Sequence, residues 1–292
     1  MGALRLSLTT RRKLLPWLFL GPGLLWLLIF FAYPLVNQAA VSLMTGDPDH
    51  GYTMTWAFHN YWDAISTYKV QFGRSILYAG TATLACLIIA FPLAYFIAFK
   101  AGRFKALMLL LVILPFFMSY VLRTVAWQLI LSDNGWVVNR LRDIGLLGEN
   151  DRLLATPIAV IAGITYNFLP FMALPLYVSL EKIDRRLIEA ATDLYAGRST
   201  AFRKITLPLA VPGIFAGSLL TFIPACGDFV NAALLGTPRQ YMIGNVIQAK
   251  FLNILDYPTA AALSFTLMLF ILVGIFIYAR LLGARNLTEA AI

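Results

Sequence analysis

An all-α, polytopic membrane protein with six spanning helices is the fold class that the sequence predicts, and three observations carry it. Of the 292 residues, 60% are hydrophobic and only 13% charged, against roughly 45–50% and about 25% in a soluble domain. The apolar residues gather into six runs of the ~20 residues that a bilayer-crossing helix needs. The connections between those runs alternate between strongly basic and nearly neutral, as the two sides of a membrane require. The net charge of +9 therefore belongs to basic loops beside a bilayer rather than to a nucleic-acid surface.

The chain begins with a basic segment, 1–13, holding Arg5, Arg11, Arg12 and Lys13. The first run, 14–36, has the flank of a secretory signal, but its apolar core is too long and no small-x-small cleavage site follows. It reads as a retained helix. The second run, 75–99, contains Pro92, and the third, 106–131, contains Pro115 and Arg123. Pro170 and Pro175 lie in the fourth run, 153–180. The fifth, 208–235, holds Pro212, Pro224 and Asp228, together with Gly213 and Gly217 at the small-xxx-small spacing that lets helices approach closely. The sixth, 258–282, leads into the tail 283–292. Each internal proline removes a backbone donor and bends its helix. The freed carbonyls then need neighbouring helices or a water-lined cavity, which suits a moving pathway better than a plain anchor.

Charge sets the orientation. The second connection carries Lys100, Arg103 and Lys105, the fourth carries Lys182, Arg185, Arg186, Arg198, Arg203 and Lys204, and the tail follows Arg280 with Arg285. The first, third and fifth connections hold Lys69, Arg74, Arg140, Arg142, Arg152, Arg239 and Lys250. In the third, Asp133, Asp143, Glu149 and Asp151 offset the three arginines. The excess on the even connections and at both ends predicts cytoplasmic termini on an inner-membrane protein.

The fourth connection, 181–207, is the most informative loop. Ile183, Leu187, Ala190, Ala191 and Leu194 share one helical face at i, i+3, i+4 spacing. Gly197 is placed to cap that helix, a second short helix follows, and Pro208 opens the next span, where its missing donor costs nothing. Such a helix lies under the bundle and offers part of itself to a soluble partner. Periodicity alone also leaves open, as the lesser alternative, a solvated interfacial helix with no partner.

Glu189-Ala190-Ala191, followed by Ile205-Thr206-Leu207-Pro208, resembles the EAA signature of permease subunits in ATP-binding-cassette importers. The likeness extends through Phe202, Arg203, Lys204 and Pro212-Gly213-Ile214. The block from Ile113 to Trp127, and the block from Phe222 to Gly236 with Met242, Ile243, Gly244, Asn245 and Gln248, are similar to the spermidine/putrescine branch of that family. The resemblance covers most of the chain from about Leu14 onward. It implies a type I importer permease fold in which Glu189, Ala190, Ala191, Asp193, Leu194, Tyr195, Gly197, Ile205, Leu207 and Pro208 couple to an ATPase. It also implies two ABC ATPase subunits, a second, related permease and an extracytoplasmic solute-binding protein as partners. The family has glycine where this chain has Tyr195, so the inter-helix turn is expected to shift or to form without a left-handed residue.

Inside the membrane, Arg123 and Asp228 stand about 26 and 30 Å from the cytoplasmic ends of their runs at ~1.5 Å per residue. Such residues face a cavity or one another. Either Asp228, with Asn231, lines the pathway and attracts a cationic solute, or Arg123 and Asp228 pair or snorkel to the interface. Tyr120, Trp127 and Tyr166 offer cation–π contact to an amine, or serve as packing and belt residues.

The chemistry of an enzyme is missing from the sequence. No phosphate-cradling Gly-x-x-x-x-Gly-Lys-[Ser/Thr], Gly-x-Ser-x-Gly or His-Glu-x-x-His occurs. Cys86 and Cys226 sit in apolar runs, and His50 and His59 lack ligand-spaced neighbours, so no cofactor or metal is called for. Energy must come from another polypeptide. The reading is a permease subunit for a small cationic solute of the polyamine class. The alternative is a secondary carrier driven by an ion gradient, although no internal repeat of the kind such carriers show is evident.

Overall fold

The computed structural model describes residues 19–148 and 150–286. The basic residues of segment 1–13, Leu14 at the start of the first run, and Glu149 lie outside them. Five helices are long and apolar enough to cross a membrane: α1 (Phe19–Val41), α2 (His59–Phe99), α6 (Pro157–Glu181), α8 (Arg198–Cys226) and α11 (Tyr257–Asn286). A sixth crossing is made by a bent pair, α3 (Gly102–Phe117) and α4 (Tyr120–Ile130). The shorter helices are α5 (Trp136–Asp143), α7 (Arg185–Asp193), α9 (Val230–Leu235) and α10 (Ile243–Gln248). A small antiparallel hairpin, β1 (Met44–Asp47) with β2 (Gly51–Met54), joins α1 to α2 in the register Met44 opposite Met54.

The bundle is centred on α2, α6 and α8. Along α2 a stripe of small residues, Ala79, Ala82, Cys86, Ala90, Ala94 and Ala98, is buried almost completely, so the backbones meet with little side chain between them. Gly213 and Gly217 do the same on α8. A Cβ on Gly213 would sit 2.5 Å from Cβ of Ser179, and one on Gly217 would sit 2.8 Å from Sδ of Met172. The sequence-derived spacing is thus a helix contact, and it faces α6. By contrast, no residue of α1 is buried. Its apolar surface is left for lipid, apart from the stretch that runs beside α11.

Three runs differ from their sequence-based outlines. The second begins at His59, sixteen residues before the expected Ser75, and departs from helical geometry at Tyr68 (φ −109°, ψ 19°). Asp63, Lys69, Gln71 and Arg74 make this extension too polar for a hydropathy reading to include. The third run is not one rod, because α3 and α4 meet at 95°. Pro115 tightens the end of α3 into a 3₁₀ turn, and Met118 and Ser119 are extended. The fifth run, expected as 208–235, ends as a spanning helix at Cys226; Gly227 to Phe229 break it, and α9 is separate. The prolines at 92, 170, 175, 212 and 224 lie inside helices that continue through them.

The two ends of the bundle are built differently. The end bearing the hairpin is closed by long-range ties: Tyr52 donates to the Leu255 carbonyl at 2.7 Å, and Arg74 to the Tyr241 carbonyl at 2.7 Å. The three arginines of the third connection are held locally. Arg152 pairs with Asp133 at 2.6 Å, Arg140 with Asp143 at 3.6 Å, and Arg142 donates to the carbonyls of Asp133 and Asp151. Lys250 pairs with Asp256 at 2.9 Å. Burial alone would raise the Asp256 carboxyl, but hydrogen bonds from Lys250 and Thr259 bring it below the usual carboxylate range.

Candidate functional site

Two groups of the residues singled out above come together in the structure, and they lie in different environments. The first is the loop between α6 and α8. Ile183 turns inward and joins Leu180 and Ala210 in the core, anchoring the exit from α6. Asp184 then caps α7, its Oδ1 accepting from the Arg186 amide at 3.0 Å. No residue of α7 is buried. Its apolar face, expected against the bundle, is open: Leu187 is 48% exposed, Leu194 81% and Tyr195 99%. Glu189, Ala190 and Asp193 are exposed as well.

The turn after α7 resolves the departure at Tyr195. The Tyr195 amide bonds to the Thr192 carbonyl and the Ala196 amide to that of Ala191, the paired bonds of a Schellman cap. Tyr195 itself takes the left-handed conformation, φ +58°, which costs an L-residue roughly 1–2 kcal/mol. The turn has neither shifted nor avoided the left-handed residue. Nor does Gly197 cap the end of α7; it opens α8, with φ −64° and its carbonyl accepting from Thr200 and Ala201. A π-helical turn, Phe202–Thr206, carries Ile205 into the spanning part of α8 at Leu207 and Pro208.

The loop is tied to the rest of the bundle at named points. Phe202 packs edge-on against Phe91 (5.6 Å) and Tyr95 (6.2 Å) of α2. Arg185 donates to the Ala98 carbonyl at 3.2 Å and lies over the Phe99 ring. Lys105 of α3 pairs with Glu181 at the end of α6. Through these contacts α7 and the start of α8 both touch α2, and the end of α6 touches α3.

The second group is a buried polar cluster where α4, α6 and α9 meet. Asn231 is its hub. The Asn231 Nδ2 donates to the Tyr120 hydroxyl at 2.6 Å and to Asp228 Oδ2 at 2.5 Å. Its Oδ1 accepts from Thr124 (3.4 Å) and from Asn167 (3.2 Å). Asn167 also donates to Thr124 at 3.2 Å. Gly163 makes room: a Cβ there would stand 2.6 Å from Asn231 Oδ1. Asp228 is 94% buried and caps α9, its Oδ1 accepting from the amides of Val230 (2.9 Å) and Asn231 (3.3 Å). A short polar side chain that accepts from these amides suits the turn where the fifth run breaks.

Arg123 lies beside this cluster without joining it. No ion pair links it to Asp228 within 4.0 Å among the described residues, and it does not snorkel, being 94% buried. Its guanidinium lies 5.5 Å from the Phe116 ring and 5.7 Å from the Tyr120 ring. Trp127 and Tyr166 pack against each other with their rings tilted at 60° and 5.5 Å apart, half-buried, a short way along the same helices. Thr124 and Asn167 were not among the candidates. Both are uncharged polar residues inside apolar runs, a weaker sequence signal than an ionisable group. Among the described residues no group of His, Cys, Asp or Glu could hold a metal.

A family model described as binding-protein-dependent transport system inner membrane component matches residues 83–284. Among curated proteins, the spermidine/putrescine transport system permease protein PotB of Haemophilus influenzae is 38% identical over 256 residues, covering 87% of this chain and 90% of its own. The protein of the same name from Escherichia coli is also 38% identical, with 87% and 93% covered. Among solved structures, a bacterial alginate ABC transporter in complex with a periplasmic protein bound to an alginate pentasaccharide has a chain that superposes with TM-score 0.69 at 25% identity. The alignment spans 96% of this chain and 98% of that one.

Proposed function

The chain belongs to the family of binding-protein-dependent transport system inner membrane components, and from that premise we propose that it forms half of the pathway of an ATP-driven importer for a polyamine-like cation. An ion-gradient-driven carrier, the alternative open to the sequence, lies outside that family. Both termini and the loop 181–207 face the cytoplasm in this reading. Two ATPase subunits grip the loop from below, a second permease completes the pathway, and an extracytoplasmic binding protein delivers the solute.

The observation that carries the reading is the open apolar face of α7. A segment with Leu187 of α7 and Leu194 and Tyr195 of the turn after it in solvent, beside Glu189-Ala190-Ala191, gains little from its own bundle. Large exposed apolar groups of this kind mark interaction surfaces. The ties from Phe202, Arg185 and Lys105 to the spans supply a route by which nucleotide-driven movement of a docked ATPase would shift the population between outward- and inward-open states. The polyamine assignment rests on the 38% identity to the two permeases named for spermidine and putrescine.

Glu189→Lys tests it. The variant should insert at wild-type levels yet lose putrescine and spermidine uptake in proteoliposomes, and lose the ATPase during purification in mild detergent. Undiminished recovery of the ATPase with this variant would remove Glu189 from the contact.

A further inference from the structure

Arg123 is a cation with nothing to pay for its burial. It is 94% buried, its Nε and Nη1 are covered by this chain's own atoms without an acceptor, which leaves Nη2 as the nitrogen a group from outside can reach, and no carboxylate of the described residues comes within ion-pair distance. The obvious counter-charge is already committed. Asp228 spends its oxygens on the amides of Val230 and Asn231 and on the Asn231 side chain. The Phe116 and Tyr120 rings give partial compensation only. An uncompensated buried charge is among the costliest features a folded chain can carry, and more so within a membrane.

The bent pair α3–α4 that carries Arg123 also has an uncovered face. Phe117 is 80% exposed, and Met118, Val121 and Leu122 on either side of the 95° bend are exposed as well. An apolar strip beside an unpaired buried guanidinium is complementary to one kind of partner surface: an apolar helix that brings a carboxylate.

We propose that Arg123 receives an acidic side chain of the second permease subunit, making a cross-subunit ion pair beside the Asn231 cluster. The proposal rests on the reading above, in which such a subunit exists and the solute is a polyamine. A polycation has no carboxylate to offer the guanidinium, and an unpaired arginine next to its route would repel it. A pair across the interface neutralises that charge and ties completion of the pathway to assembly.

The test is purification of the full complex, with the isolated chain measured in parallel. Arg123→Gln should leave the isolated chain in detergent at least as heat-stable as wild type, because it removes an unpaired buried charge. The same change should lower recovery of the second permease by about a hundredfold, the scale of breaking a buried pair. Arg123→Glu should fail similarly and be rescued by changing one acidic residue in the partner's spans to Arg. Equal recovery of the second permease with wild type and Arg123→Gln overturns the pair and leaves the importer reading intact. Normal assembly with uptake lost only for solutes that carry a carboxylate also overturns it, assigning the guanidinium to the solute. Failure of the wild-type chain to recover any second permease overturns both the importer reading and the pair.

Discussion

The loop between α6 and α8 and the cluster around Asn231 break the ordinary rule of burial in opposite senses. In the loop, Leu187, Leu194 and Tyr195 are in solvent. In the cluster, Thr124, Asn167, Asp228 and Asn231 are buried within an otherwise apolar bundle, as is Arg123 beside it. The loop holds its shape by backbone means, an Asp184 cap at one end and a Schellman turn at the other, so its side chains are free for another molecule. The cluster holds its shape through its side chains, which leaves them little freedom, whereas Arg123 beside it is uncommitted. The difference separates two kinds of residue. Changes in the loop should cost function and spare stability, whereas changes in the cluster should cost stability first.

The largest separation is expected from pairing Glu189→Lys with Asn231→Leu. The loop variant abolishes uptake while the melting temperature of the isolated chain stays at the wild-type value. Asn231→Leu strands Asp228 Oδ2 and the Tyr120 hydroxyl, and leaves Asn167 with Thr124 as its one side-chain partner. At about 1–3 kcal/mol for each unsatisfied group, the chain should lose several kcal/mol, read as a large drop in melting temperature in detergent. A stable Asn231→Leu chain would mean that the cluster is not what fixes α9 against α4 and α6.

A smaller and opposite effect is expected at Tyr195. Tyr195→Gly relieves the left-handed strain and should stabilise the isolated chain by about 1 kcal/mol. It also removes an aromatic ring from the exposed tip, so recovery of the ATPase should fall even as the chain becomes more stable. A variant that gains in both would show that Tyr195 contributes nothing to docking.

Much of this architecture was legible from residue order, for reasons that also explain the misses. Spans appear as apolar runs because lipid imposes a length, so α6 and α11 start and end close to where hydropathy places them. The starts of α2 and α8 are concealed by polar residues, Asp63 to Arg74 in one and Arg198 to Lys204 in the other. Breaks are harder to read, because five prolines lie in helices that continue, while Pro115 adjoins a 95° bend made by extended Met118 and Ser119. Which outcome follows depends on neighbours distant in sequence. The EAA resemblance located the loop, but the assumption that only glycine would turn left-handed misplaced its cap. In the cluster, attention to charge found Arg123 and Asp228 and missed Asn167 and Thr124. An amide or hydroxyl in an apolar run is a quieter signal than a charge, yet here the Asn231 amide is the hub.

The central claim is that the tip of α7 is the cytoplasmic face gripped by an ATPase. Leu194→Cys, labelled with a membrane-impermeant maleimide, tests it most directly, and the native Cys86 and Cys226 are buried and should add little background. The account predicts no labelling in right-side-out vesicles, protection in inside-out vesicles with the ATPase bound, and strong labelling once the ATPase is stripped away. Labelling from the outside, or equal labelling with and without the ATPase, would contradict it.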